Sequence, residues 1–288
     1  MRETMAASEK KQSTPAGRAP GGTALTMLGT GNAMVTRCYN TCFTLRSSEG
    51  VLLVDAGGGN EIFSRLERAG VAFSEIRGMF LTHTHTDHVL GAVWVLRKIM
   101  TMIKSGKYEG NFRVFCHREA AETLKSICLL TLQEKFTALF DSRVLLETLE
   151  DGDTVTCAGM TVTAFDIHST KLKQFGFTLR TPEGKKLVCL GDEPFNPACG
   201  GDIREADLLM SEAFCLYEDR ERFKPYEKHH STALDAGRVA KELGAKRLLL
   251  YHTEDETLLS RKARYTSEAK GVFPGEVLVP EDLETVTL

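Results

Sequence analysis

The sequence lacks any long uninterrupted stretch of apolar residues. Its longest such run, from Val89 to Leu96, ends at Arg97 and Lys98, far short of the roughly 18 residues that a membrane-spanning helix needs. It also lacks a basic excess, because the formal net charge is -3, and nothing global therefore indicates nucleic-acid binding. What remains is a chain of 288 residues, 42% of them hydrophobic. That is enough for one substantial buried core, or at most for two small domains.

Paired cysteines are missing as well. None of the eight cysteines belongs to a Cys-x-x-Cys pair, and Cys189 stands inside an apolar run. Buried free thiols are typical of proteins in a reducing compartment, so we expect a cytoplasmic protein. The first 22 residues are polar and small, without the apolar segment of a secretory signal. We interpret residues 1–22 as a disordered tail and residues 23–288 as a single domain.

Short apolar runs alternate with segments of helical spacing along the rest of the chain. Runs bounded by turn residues predict strands at about 25–28, 41–45, 51–55, 79–82, 112–116, 154–157, 160–167, 175–180, 186–190, 206–210 and 247–251. Apolar residues three or four apart predict helices at about 60–70, 87–102, 118–140 and 232–243. This alternation, with hairpins between the two halves, predicts a layered α/β sandwich.

One cluster of residues carries recognisable metal chemistry, the run from His83 to Asp87 and His88. His83 and His85 are two residues apart at the end of a predicted strand, so both rings can face one ion. Asp87 and His88 lie where the chain turns into a helix and suit a second ion. Imidazoles with a carboxylate are ligands that zinc, manganese and iron(II) accept. The run predicts a metal centre, as opposed to a polar loop.

The remaining ligands must come from other parts of the chain. His168, Asp192 and His252 each stand just after a predicted strand, where side chains leave the core and face a shared rim. Taken singly, each has an ordinary interpretation as a turn residue. Together with the histidine run, they are candidate metal ligands.

At this point the chain resembles the metallo-β-lactamase superfamily, and it is most similar to the ribonuclease Z-like branch. The resemblance covers residues 25 to 260, and the histidine run is its most specific motif. The other matching segments are Leu28-Gly29-Thr30-Gly31, Val54-Asp55-Ala56-Gly57, His168 with Phe175-Gly176-Phe177, Leu190-Gly191-Asp192, Ser211-Glu212-Ala213, His230-Ser231-Thr232 and Leu250-Tyr251-His252. The segments with Glu212 and His230 favour the branch.

The resemblance implies a four-layer αββα fold with two divalent metal ions, Zn²⁺ in the first place, with Mn²⁺ or Fe²⁺ as alternatives. It implies that one ion is held by His83, His85 and His168, the other by Asp87, His88 and His252, and that Asp192 bridges them. It also implies that Asp55 accepts a hydrogen bond from a ligand histidine and so holds its ring in place. Such a pair can share a hydroxide and clamp a phosphate ester, which implies a phosphodiesterase. A homodimer is expected by the same analogy.

A proton donor for the leaving group is a further implication. In ribonuclease Z-like proteins a histidine paired with a glutamate takes this role, and His230 and Glu212 match those positions. We therefore assign catalytic roles to Asp87, Glu212 and His230. The adjacent His229 stays open as the alternative acid, because His230 also precedes a predicted helix start.

One departure from the family affects the substrate. The tRNA-processing members carry a basic, glycine-rich arm, whereas a predicted hairpin fills the interval between His168 and Asp192 here and leaves no room for one. We expect a small or flexible nucleotide-like phosphodiester, or RNA ends, as the substrate. The alternatives are a tRNA 3′-end endonuclease without the arm, a hydrolase of carboxylic esters, lactones or thioesters, and a metal-binding protein without catalysis.

Overall fold

The computed structural model describes residues 22–288, so the predicted tail lies, apart from Gly22, outside the described residues. The strands are β1 (Ala24–Gly29), β2 (Cys42–Ser47), β3 (Gly50–Val54), β4 (Ile76–Phe80), β5 (Phe112–Cys116), β6 (Val144–Thr148), β7 (Thr154–Cys157), β8 (Met160–Asp166), β9 (Phe175–Arg180), β10 (Lys186–Cys189), β11 (Leu208–Glu212), β12 (Arg247–Tyr251), β13 (Glu276–Leu278) and β14 (Thr285–Thr287). The α-helices are α1 (Ile62–Arg68), α2 (Thr86–Lys104), α3 (Arg118–Thr131), α4 (Glu134–Thr137), α5 (Arg220–Phe223), α6 (Ala233–Glu242) and α7 (Leu258–Lys270).

The strands form two seven-stranded sheets. The first has the order β14-β1-β2-β3-β4-β5-β6 and the second β13-β12-β11-β10-β9-β8-β7. In the first sheet, β3 to β6 run parallel to one another. In the second, β10 to β13 are parallel and β7 to β10 antiparallel. The parallel strands therefore sit in the part of each sheet that helices must cover on the outside.

Alternating side chains of β3 show how the layers pack. Leu52 and Val54 lie in the core between the sheets, whereas Val51 and Leu53 belong to the core beneath the helices. Successive side chains of a strand point to opposite faces, so both faces of this strand are buried. α1, α2 and α3 cover the first sheet, and α6 and α7 cover the second. The predicted αββα sandwich is confirmed.

Several segments differ from the sequence prediction, among them β6, β13 and β14, which were not predicted. The helix expected over 118–140 is interrupted at Leu132, whose backbone is extended at φ −103 and ψ 153, and a separate short helix begins at Glu134. The strand expected at 206–210 begins two residues later, at Leu208. The C-terminal helix α7 was not predicted, because its buried residues are Arg261, Tyr265 and Ala269, which form no conspicuous apolar stripe.

The carboxyl ends of several strands converge at one rim of the sandwich. β4 leads into the histidine run, β10 precedes Asp192, β11 ends at Glu212 and β12 precedes His252. In α/β folds, ligands bind outside the carboxyl ends of the strands, so this rim is the place to look for the site. None of the helices within residues 22–288 has the length and apolar character that crossing a membrane requires.

Candidate metal centre

The histidine run changes direction at His85, the residue that caps α2. His85 has the extended backbone of an N-cap, φ −61 and ψ 150, and the helix begins at the next residue. His83 thus still belongs to the extended segment, while Asp87 and His88 lie on the first helical turn. His83, Asp87 and His88 are buried, whereas His85 is half-buried. The break between strand and helix is what lets one short run present side chains from two directions.

Asp192 stands at the centre of the cluster. Its Oδ2 lies 3.4 Å from Nε2 of His83, 3.4 Å from Nε2 of His88 and 3.5 Å from Nε2 of His252. Asp87 forms a second group with His88 and His252, since its Oδ2 is 3.4 Å from Nε2 of His88 and 3.6 Å from Nε2 of His252. Two carboxylates are therefore surrounded by three imidazoles, all of them buried.

The atoms of this cluster fit divalent cations. Nε2 of His88 and Nε2 of His252 are buried without a hydrogen-bond partner among the described residues, although buried polar atoms are normally satisfied. Both nitrogens point toward the two carboxylates. Imidazole nitrogens with carboxylate oxygens form the donor set of zinc and of other first-row divalent ions. The described residues thus suit the metal chemistry that the sequence predicts.

The charges of the cluster depend on one another. Burial opposes ionisation of Asp192, yet the neighbouring imidazoles of His83, His88 and His252 hold the pKa of that carboxyl well below its usual range. Burial likewise disfavours a charged His88, but the carboxylates of Asp87 and Asp55 raise the pKa of that imidazole well above its usual value. Asp192 and Asp87, whose pKa values are both lowered by the neighbouring imidazoles, are therefore carboxylates, the form that binds cations.

Asp55 fixes the orientation of the histidine run from behind. Its Oδ1 accepts the backbone N–H of Thr82 at 2.8 Å, and its Oδ2 accepts the Thr82 hydroxyl at 2.7 Å. The same Oδ2 lies 2.7 Å from Nδ1 of His88. A carboxylate bound to the outer nitrogen of a ligand histidine holds the ring in place and selects the tautomer. This contact matches the supporting role that the resemblance implies for Asp55.

His168 is the predicted ligand that the structure does not bring to the cluster. Its side chain is 46% exposed, and its Nε2 lies 3.2 Å from the carbonyl oxygen of Ala198. The backbone explains the direction, because His168 has a left-handed φ of 57 and its N–H donates to Asp166. Its assignment to an ion with His83 and His85 is therefore not supported by this geometry.

Gln174 lies against two of the predicted ligands, His83 and Asp192. It is almost completely buried, and its Nε2 contacts both Oδ1 of Asp192 and Nδ1 of His83. The sequence analysis missed this residue, since a glutamine carries no metal-ligand signature. The available signal was its position next to β9, at the same rim as the other strand-end residues.

Glu212 and His230 form a second buried pair beside the cluster. Nδ1 of His230 lies 3.7 Å from Oε2 of Glu212, while Oε1 of Glu212 accepts the N–H of Ser231 at 2.5 Å. Burial raises the pKa of Glu212 well above its usual value. Burial, with a contribution from His252, lowers the pKa of His230 to about 3. His229 is exposed, and its Nδ1 lies 3.5 Å from the hydroxyl group of Thr170 on the surface.

A cavity of about 670 Å³ opens onto these residues. Its floor includes Asp192, His230 and His252, and Phe214 contributes an aromatic wall that stacks on His230 with ring centroids 4.9 Å apart. Two cationic side chains, Lys171 and Lys228, also line it. A concave site with an apolar wall and a few convergent polar groups is typical of small-molecule binding.

Known proteins share this architecture. Ribonuclease Z from Myxococcus xanthus (strain DK1622) is 27% identical over 318 residues, which cover 92% of this chain and 97% of that protein. The metallo-β-lactamase-fold protein YhfI from Bacillus subtilis superposes with a TM-score of 0.74 at 22% identity, covering 92% of this chain and 99% of that one. A diphosphatase of the PhnP family superposes with a TM-score of 0.70 at 16% identity, over 92% and 98% of the two chains.

The chain has the metallo-β-lactamase fold with the clustered ligands of a metal-dependent hydrolase, and it resembles ribonuclease Z. The predictions of superfamily, fold and hydrolase class are thereby confirmed, and the alternative of a metal-binding protein without catalysis is disfavoured. Residues 23–267 match the model of one protein family, which is described as Anti-Pycsar protein Apyc1. The chain belongs to that family.

Proposed function

We propose that this protein holds two divalent ions at the Asp192 cluster and hydrolyses the phosphodiester of a small or flexible nucleotide-like molecule. The observation that carries the proposal is the position of Oδ2 of Asp192, within 3.5 Å of three imidazole nitrogens. A carboxylate in this position would be a ligand common to both ions. Zn²⁺ is the favoured metal for this donor set, with Mn²⁺ and Fe²⁺ as alternatives.

The ligands divide into two groups around the shared carboxylate. Asp87, His88 and His252 have mutually close ligand atoms and would hold one ion. His83 and His85 adjoin each other, with 2.9 Å between their nearest ring nitrogens, and would hold the other. His168 remains outside this set, because its ring is engaged by a carbonyl group on the surface.

The protein residues have separate tasks in the reaction. Divalent ions bound here supply Lewis-acid charge and a nucleophilic water at neutral pH. Asp87 would hold one ion beside the reacting phosphate. The proton that the leaving alkoxide requires would come from the Glu212–His230 pair, whose nearest side-chain atoms are 3.7 Å apart. Burial raises the pKa of Glu212 and lowers that of His230 to about 3, so Glu212 would hold the proton and keep the ring oriented, and His230, which lines the cavity, would deliver it. The stacking of His230 on Phe214 also restrains the ring.

The shape and charge of the site favour a small diester over a long nucleic acid. A cavity of about 670 Å³ falls within the ~300–1,000 Å³ typical of sites for small ligands. Lys171 and Lys228 line it and would face phosphate oxygens, whereas the acidic residues that also line it, Asp87, Asp192, Glu254, Asp255 and Glu256, would need bound cations beside them. The chain as a whole has a formal net charge of -3, and affinity for long nucleic acids depends largely on many phosphate contacts.

Processing of tRNA 3′ ends is the second candidate function. The observation in its favour is the name of several relatives, since ribonuclease Z of Myxococcus xanthus is similar to this chain over 97% of its own length. The hairpin of β9 and β10, between His168 and Asp192, occupies the interval in which an arm would be inserted. Hydrolysis of acyl esters is disfavoured by the Glu212–His230 pair.

A side-by-side substrate panel tests the proposal. The Zn²⁺- and Mn²⁺-loaded protein is assayed with bis-p-nitrophenyl phosphate, a linear dinucleotide, a nucleoside cyclic monophosphate, p-nitrophenyl phosphate, p-nitrophenyl acetate and a pre-tRNA at ~50–200 mM salt, where phosphate contacts are most visible. We expect turnover of small diesters and poor pre-tRNA cleavage. Asp192→Asn should abolish activity, whereas Asp141→Asn, at a 73% exposed position, should not. Efficient, site-specific pre-tRNA cleavage at physiological salt would refute the preference for small diesters.

Three broader expectations accompany the proposed reaction. We infer that residues 23–288 form one domain, that the protein acts in the cytoplasm, and that it associates as a homodimer by analogy with its superfamily. The free cysteines of the described residues are consistent with a reducing compartment. Light scattering of the purified protein tests the dimer, and fractionation of cells tests the compartment. Limited proteolysis with a stable product beginning near residue 23 tests the domain.

A further inference from the structure

The two oxygens of Asp192 have different surroundings. Oδ2 faces the imidazoles of His83, His88 and His252 at 3.4 to 3.5 Å. Oδ1 accepts a hydrogen bond from the side-chain amide of Gln174, whose nitrogen also lies 2.9 Å from Nδ1 of His83. A carboxylate whose second oxygen is engaged in this way presents one oxygen to a cation.

Gln174 lies next to Asp192 because the two strands that adjoin these residues pair with each other. Gln174 immediately precedes β9, and Asp192 follows β10, its antiparallel neighbour, in which Cys189 pairs with Phe177. The chain on either side of Gln174 is anchored, because its carbonyl accepts the N–H of Ile167 at 3.2 Å and the next N–H donates to Thr82 at 3.1 Å. The amide is thus held at the rim by both sheets.

The space around the side-chain amide of Gln174 is also restricted. Gln174 is 1% exposed, and a Cβ added to Gly191 would lie 3.4 Å from its side chain. Gly191 also has a φ of +88, which side chains with a Cβ rarely adopt. Glycine is thus required before Asp192 by its backbone, and the close packing around Gln174 allows its amide few alternatives to the contact with the carboxylate.

We propose that Gln174 is a positioning residue of the metal centre: its amide holds Oδ1 of Asp192 and so keeps Oδ2 facing the histidines that would bind the ions. This inference rests on the proposed metal centre. The outer hydrogen-bond partners of metal ligands orient them, and removing one typically lowers metal affinity or activity about 10–100-fold. Gln174 acts through the amide N–H, since its Oε1 is buried without a partner among the described residues.

Two substitutions separate this role from others. Gln174→Met keeps a similar length and removes the donor. Gln174→Glu retains an oxygen of similar reach but also lacks the amide hydrogens. Gln133→Met, at an exposed position with no side-chain hydrogen bond among those described, is the matched control. All proteins are first compared by circular dichroism and thermal melting, so that loss of fold is recognised.

The readouts are the affinity for Zn²⁺, measured by competition with a chelator, and the visible spectrum of the Co²⁺-substituted protein. We expect Gln174→Met to bind Zn²⁺ about 10–100-fold more weakly than the wild type, with a changed Co²⁺ spectrum, and Gln133→Met to match the wild type. Wild-type affinity and spectrum in Gln174→Met, or a wild-type spectrum in Gln174→Glu, would overturn this inference alone. A wild-type protein that binds no metal would refute the metal centre and this inference with it.

Discussion

Replacing His230 by asparagine should separate proton donation from metal binding. His230 lies 3.7 Å from Glu212 and stacks against Phe214. Its ligand atom is close to those of Glu212 and His252, and it belongs to neither of the groups that contain Asp192 and Asp87. We therefore expect the variant to keep its metal content. Loss of a general acid typically lowers turnover ~10²–10⁴-fold, which corresponds to about 2.7–5.4 kcal/mol in the barrier.

The size of the loss should depend on the leaving group. An alkoxide leaving from a nucleotide diester needs a proton, whereas p-nitrophenolate leaves with little assistance. We expect the full ~10²–10⁴-fold loss for a dinucleotide and a much smaller loss for bis-p-nitrophenyl phosphate. The assay measures kcat for both substrates at saturating metal, with elemental analysis of each preparation.

His229 supplies the matched control for this experiment. It adjoins His230 in sequence, yet it is exposed and has a left-handed φ of 56, so His229→Asn should leave both substrates unaffected. Equal losses on the two substrates in His230→Asn would refute the general-acid role and point to positioning. A selective loss in His229→Asn would transfer the role to that residue.

Other predictions concern the support and stability of the site. Asp55→Asn should weaken Zn²⁺ binding about 10–100-fold, because the carboxylate that contacts Nδ1 of His88 at 2.7 Å is lost; unchanged affinity in a chelator competition would contradict this. Gly91→Ala should lower the free energy of unfolding by about 3 kcal/mol, since the added Cβ would overlap the carbonyl oxygen of Ala56. Gly59→Ala is the control, because a Cβ there has no atom within 4 Å; equal denaturant midpoints of the two variants would contradict the prediction. Removal of metal should lower the melting temperature, as saturation at 100-fold above Kd contributes about 2.7 kcal/mol; an unchanged melt would argue against buried ligation.

Local sequence patterns predicted the elements that have strong periodicity. The strand at Arg247–Tyr251 matches its expected range, because a short apolar run between a charged turn and a histidine has few alternatives. The helix at Ala233–Glu242 begins after Thr232, whose hydroxyl accepts the N–H of Asp235, a capping pattern visible in the sequence. The convergence of Asp192 and His252 on the histidine run also followed from their strand-end positions.

Other features depended on tertiary context that a sequence does not display. The direction of His168 is set by its left-handed backbone and by the carbonyl of Ala198, which is distant in sequence. The role of Gln174 arises from the pairing of β9 with β10, and a glutamine before a strand has no distinguishing pattern. α7 escaped prediction because its buried face contains Arg261, which donates to Thr30 and Thr253 inside the fold.

The central claim is that the Asp192 cluster holds two ions and hydrolyses phosphodiesters. The most direct test is a titration of metal-depleted protein with Zn²⁺ or Mn²⁺ while hydrolysis of bis-p-nitrophenyl phosphate is followed. The geometry predicts activity that rises to a plateau near two equivalents per chain, with no activity in His252→Ala at the same loading. A plateau at one equivalent would contradict the shared site, and absence of hydrolysis at every loading would contradict the proposed reaction.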